Sequence, residues 1–126
     1  MTQTGLSLIV LCVGASLGAI ARWRLGLWLN TPGSWLPMGT LVANLAGGYL
    51  IGVLVGVFNA HPTLDPVWRL ALITGFLGAL TTFSTFSAEA VQLLQAQRYA
   101  QALALSALHL CGSLALTWLG LRTVGH

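Results

Sequence analysis

Charge is what this chain has least of. Of 126 residues only 6% are charged: five arginines, no lysine, and two acids, Asp65 and Glu89. A soluble domain carries about one quarter charged residues. A soluble helical bundle also needs a polar face on each helix, and no stretch here sustains one. Five scattered arginines give a formal charge of +3 but form no basic patch, which excludes nucleic acid as a partner. Two cysteines, Cys12 and Cys111, both lie in apolar runs and share no ligand spacing, so they read as packing residues. His61, His109 and His126 are far apart in sequence and form no metal motif. His109, inside an apolar run, reads as a satisfied packing residue. No nucleophile–base pair is visible, which speaks against an enzyme.

What the chain does have is apolar sequence, 56% of it. A bilayer-spanning helix takes about 20 mainly apolar residues. Four segments meet that length: Leu6 to Leu29, Pro37 to Phe58, Val67 to Leu94, and Tyr99 to Val124. Turn signals separate them: Asn30-Thr31-Pro32-Gly33-Ser34, the Pro62 and Pro66 region, and the polar Gln95–Arg98 link. The sequence thus predicts one all-α membrane domain of four transmembrane helices over residues 1–126. The first segment lacks a basic residue before its apolar run, so it reads as a span and not as a signal peptide. Across the predicted membrane, Arg22, Arg24 and Arg98 stand on one side against Arg69 and Arg122 on the other. Lys/Arg bias sets orientation. Three against two either suffices for one orientation or lets the chain insert both ways, as an antiparallel dimer would require.

Glycines mark the helix contacts. Gly48, Gly52 and Gly56 line one face of the second helix, where small residues let backbones approach closely in lipid. Asn44 precedes them on that face, either as interhelical glue or as a hydrogen-bond donor to something that passes. Gly14 and Gly18 lead to Arg22 in the same way. That arginine either snorkels to the interface or serves an anion-attracting vestibule.

The third segment is the unusual one. It runs Gly75-Phe76-Leu77-Gly78-Ala79-Leu80-Thr81-Thr82-Phe83-Ser84-Thr85-Phe86-Ser87. Two glycines followed by hydroxyl residues suggest either an intact kinked helix or one broken near Gly78 to Thr81. A break at membrane depth must face protein or a cavity. Its freed carbonyls can coordinate a cation, and the new helix N-terminus is electropositive. Phe83 and Phe86 share a face, with Ser84, Thr85 and Ser87 beside them. They are either packing residues or ring edges that an anion can approach. Glu89, an acid within the span, suggests proton or cation coupling, or a hydrated vestibule role.

These residues resemble the Fluc/CrcB family of fluoride channels. The likeness rests on Gly14-Ala15-Ser16-Leu17-Gly18-Ala19-Ile20-Ala21-Arg22-Trp23, on Gly39-Thr40-Leu41-Val42-Ala43-Asn44-Leu45-Ala46-Gly47, and on Gly75-Phe76-Leu77-Gly78 with Thr81-Thr82-Phe83-Ser84-Thr85-Phe86. All three occur in order and cover nearly the whole chain. The resemblance implies a dual-topology antiparallel homodimer with two pores, in the bacterial inner membrane, passively exporting fluoride. It implies that Phe83 and Phe86 line the pore, that Asn44 hydrogen-bonds the ion, and that Ser84, Thr85 and Ser87 form a polar track. It places Arg22 at a vestibule or structural position. It implies a structural sodium ion at the dimer interface, held by the backbone carbonyls of Gly78 and Thr81. One departure stands out. The family often carries a tyrosine midway along the fourth helix, but here Tyr99 starts that helix and Leu105, Ser106 and His109 occupy its middle. Ser106, Ser113 and Thr117 are its remaining candidates for ion contact. The alternative function, a proton-coupled small multidrug-type transporter, needs a membrane-embedded acid in the first helix. This chain has none there; Glu89 lies in the third segment.

Overall fold

The computed structural model describes residues 2–125, and every regular element in them is helical. Helix α1 spans Gln3–Leu29 and α2 spans Met38–Ala60. The third pass is composite: α3 (Pro66–Arg69), a π-helical run (Leu70–Leu77), α4 (Gly78–Leu80) and α5 (Phe83–Gln95). Helix α6 spans Tyr99–Thr123. Four passes, with Pro66–Gln95 taken as one, are long and apolar enough to cross a membrane.

Local chemistry starts these elements where the sequence allows. The Thr2 hydroxyl accepts the Gly5 N–H at 3.0 Å and caps α1. Asp65 caps α3 by accepting the Val67 N–H at 3.0 Å, with Pro66 in the first helical position. The link after α5 turns through Gln97, whose φ of 59° is left-handed. There the Arg98 N–H reaches the Leu93 carbonyl at 2.8 Å and the Gln97 N–H reaches that of Leu94 at 3.0 Å. This closes the helix in the double-bonded manner usually given to glycine.

The glycines set the packing. In α2, Gly48, Gly52 and Gly56 are buried. A Cβ at these positions would meet the backbones of Ser113 and Thr117 in α6 and the side chain of Val124 just beyond it, in turn, so α2 and α6 run parallel in close contact. The Thr117 hydroxyl uses the closeness to donate to the Gly48 carbonyl at 2.8 Å. Helix α1 packs likewise on the third pass. A Cβ at Gly14 would meet the Ala71 carbonyl oxygen, and one at Gly18 that of Phe76. From the other side Gly75 approaches the Leu11 carbonyl. In lipid there is little hydrophobic drive between helices, so such close van der Waals contact holds the passes together.

Buried Ala43, Leu77 and Leu80 join α2 to the third pass, and buried Leu93, Ala102 and Leu105 join α5 to α6. Outward-facing Leu17, Ile20, Trp23, Leu103, Leu114 and Trp118 are all more than half exposed, as lipid-facing side chains would be. Arg24 lies 5.4 Å from the Trp23 ring centroid and Arg122 5.3 Å from that of Trp118. These are cation–aromatic pairs of the kind found at membrane interfaces.

Candidate functional site at the break in the third pass

The third pass breaks at Thr81 and Thr82. Their backbones are extended, with φ/ψ of −84°/155° and −148°/113°. Gly78 remains helical at −59°/−34°, so the interruption falls at the far end of the Gly78–Thr81 stretch. The physical reason is what each residue can bond. Thr81 still closes the helix: its N–H and its hydroxyl both donate to the Leu77 carbonyl, at 3.0 and 2.9 Å. Thr82 is captured by another element. Its N–H donates to Asn44 Oδ1 at 2.7 Å, and its carbonyl accepts from Asn44 Nδ2 at 3.0 Å. One side-chain amide on α2 thus satisfies both backbone groups that the break orphans, as a buried backbone demands.

Two further side chains complete the junction. The Thr82 hydroxyl accepts the Thr85 N–H at 3.1 Å and caps α5. Arg22 Nε donates to the Ala79 carbonyl at 3.0 Å, a carbonyl near the end of α4. A cation at a helix C-terminus is favourable on its own. Arg22 therefore sits within the fold, beside a small cavity it shares with Thr40, Thr82 and Thr85.

On the other side of the break lies a groove of about 430 Å³, lined by residues of α2, the third pass and α6. Phe83, Phe86, Asn44, His109 and Ser113 form its polar-aromatic part, and Gly78 and Thr81 its backbone edge. Phe83 is 79% exposed. Its ring meets Phe86 edge-on, centroids 5.4 Å apart at 78°. Phe86 in turn stacks on His109, at 4.7 Å and 28°. His109 Nδ1 stands 3.0 Å from Asn44 Nδ2.

The structure therefore brings Asn44, Phe83, Phe86, Gly78 and Thr81 to one groove, with Thr85 beside Arg22 behind it. Ser84 and Ser87 are exposed on α5 and line neither cavity. Of the fourth-helix candidates, Ser113 reaches the groove, while the Thr117 hydroxyl is committed to Gly48. Glu89 Oε2 accepts the Thr40 hydroxyl at 2.7 Å, one helical turn before Asn44 on α2. His109, read from sequence as packing, is packed indeed, at 4% exposed, but it also joins the polar centre. Only its position in space reveals that, because Asn44 and His109 are 65 residues apart. His61 bonds the Val57 carbonyl at the opposite end of α2, and His126 lies outside the described residues.

The carbonyls at the break can be tested as cation ligands. The Thr82 N–H goes to Asn44, which leaves the Gly78 carbonyl without its helical donor. A Cβ on Gly78 would meet only the Ile73 carbonyl oxygen, at 3.6 Å, so space beside it is open. An all-oxygen, uncharged donor set suits a hard cation.

The sequence model described as "CrcB-like protein, Camphor Resistance (CrcB)" matches residues 9–121. The chain belongs to the CrcB family. A relative named "Fluoride-specific ion channel FluC" from Albidiferax ferrireducens is 67% identical over 118 residues, covering 94% of this chain and 90% of the relative. Relatives of the same name from Variovorax paradoxus and Bordetella petrii are 58% and 60% identical. The first alignment covers 94% of both chains, the second 98% of this chain and 96% of the relative. The residues matched by the family model take in the groove, the break and all or part of each of the four passes. The protein is a multi-pass membrane protein.

Proposed function

We propose that this chain is a fluoride-selective channel that passively exports fluoride across the bacterial inner membrane, and so protects the cell from its toxicity. The observation that carries this is the groove itself: ring edges and neutral hydrogen-bonding groups at a helix break, in a chain whose relatives are named fluoride-specific channels. Fluoride is small and strongly hydrated. Aromatic edges, which are electropositive, together with hydroxyl and imidazole groups, can replace its water without a full counter-charge that would trap it. An inside-negative potential drives an anion outward, so no energy coupling is needed.

In this reading the working unit is an antiparallel homodimer with two pores. An exposed Phe83 and the freed Gly78 carbonyl both suit a second copy laid against the groove. Phe83, Phe86 and Asn44 belong to the path, Ser84, Thr85 and Ser87 to its polar approach, and Arg22 to the structure of its mouth. The Gly78 and Thr81 carbonyls of both copies would hold a structural sodium ion, which would supply charge to bind the copies together.

Expression in a bacterium stripped of its own fluoride export tests the function. Growth in millimolar-range fluoride should be restored. Continued sensitivity, with the protein present in the membrane, would contradict it.

A further inference from the structure

The hydrogen bonds at the break fix the protonation of a buried histidine. A backbone N–H only donates, so the Asn44 atom facing the Thr82 N–H at 2.7 Å is the amide oxygen. The amide nitrogen then faces the Thr82 carbonyl and His109 Nδ1, each at 3.0 Å. Its two hydrogens are both spent on these acceptors. Since that nitrogen donates, His109 Nδ1 carries the lone pair. A neutral imidazole holds one proton, which here must sit on Nε2. That atom is buried and has no partner among the described residues. Native proteins rarely leave a buried donor unpaired, and one that persists calls for an explanation. The residue is 4% exposed, lines the groove, and is held flat against Phe86.

We propose that the His109 Nε2–H is a hydrogen-bond donor from the fourth helix to the permeating anion, with Asn44 acting as the positioning residue that fixes its tautomer. The inference rests on the anion-channel reading and deepens it. Asn44 has no hydrogen left to offer in this arrangement, so the donor it was expected to supply passes to its neighbour. A neutral ring N–H binds fluoride without the lasting grip of a cation.

The test is nitrogen-15 NMR of the full chain, histidine-labelled and reconstituted in liposomes. The His109 signal is assigned by its loss in His109→Phe. The wild type should show a protonated Nε2 and an unprotonated Nδ1, and the Nε2–H signal should move on titration with fluoride but not with chloride. His109→Phe keeps the stacking on Phe86 and removes the donor. Its fluoride efflux should fall about 10- to 100-fold, the loss of one hydrogen bond to a charged group. A proton on Nδ1, or a signal indifferent to fluoride in a wild type that conducts it normally, would overturn the proposal and leave the channel standing. A wild type that fails to release fluoride at all would instead overturn the channel reading. Should His109→Phe not fold, the wild-type titration still decides.

Discussion

Phe83 and Phe86 sit three residues apart yet live in different surroundings. Phe86 is clamped between Phe83 and His109, while Phe83 lies 79% exposed at the groove's edge. An aromatic edge contact is worth about 0.5–1.5 kcal/mol, and ~1.4 kcal/mol is tenfold in rate. Phe86→Ile and Phe83→Ile should therefore each lower fluoride efflux by about two- to tenfold, with the elution volume on a sizing column unchanged. Unchanged efflux in both would remove the ring edges from the mechanism. Asn44→Asp places a charge where the amide holds Thr82 and His109. A carboxylate cannot donate to the Thr82 carbonyl or to Nδ1, so the break loses a bond and the path gains a repelling charge. Efflux should vanish; a conducting Asn44→Asp channel would contradict the role given to the amide. These residues were legible in different degrees. Asn44, Phe83 and Phe86 stood out as polar or paired residues at helical spacing. His109 did not, because its importance lies in a contact across 65 positions that no local pattern encodes.

At the scale of elements, close glycine contacts and caps decide stability. A Cβ at Gly18 or Gly52 would run into a neighbouring backbone, whereas at Gly26 it meets only the Asn30 side-chain nitrogen at 3.4 Å. Overpacking costs about 1–3 kcal/mol, while glycine in a helix interior gives up about 0.5–1 kcal/mol relative to alanine. Gly52→Ala should thus unfold more easily in detergent, and Gly26→Ala should be neutral or harder to unfold. The reverse order would mean the glycine stripes are not the packing faces. Gln97 offers a second check. It occupies a left-handed cap position, which costs an ordinary residue roughly 1–2 kcal/mol. Gln97→Gly should raise the melting temperature; a fall would place the strain elsewhere. The glycine stripes and four apolar runs were plain in the sequence, since both are periodic. A break was readable from the hydroxyl run, but its residues were not. Thr81 and Thr82 are alike in sequence, and only Asn44 on another helix distinguishes them. The wide turns of Leu70–Leu77 left no periodic signature in the sequence.

The whole molecule is four thin passes around a groove that one chain leaves open. Arginines divide three to two between its ends, a count that either suffices for one orientation or lets the chain insert both ways. A single cysteine at Ser34, in a chain with Cys12 and Cys111 replaced by serine, should react only partly with a membrane-impermeant thiol reagent in intact cells. Reaction should complete when the cells are opened. Full or zero labelling beforehand would argue for one orientation and against the antiparallel dimer. The central claim is that this chain conducts fluoride selectively and passively. Its most direct test is a fluoride electrode outside liposomes that hold the purified protein, loaded with fluoride or, in parallel, chloride. With valinomycin present to carry potassium, fluoride should leave rapidly and chloride hardly at all. Well-folded, reconstituted protein that releases no fluoride, or releases chloride as readily, would contradict the claim.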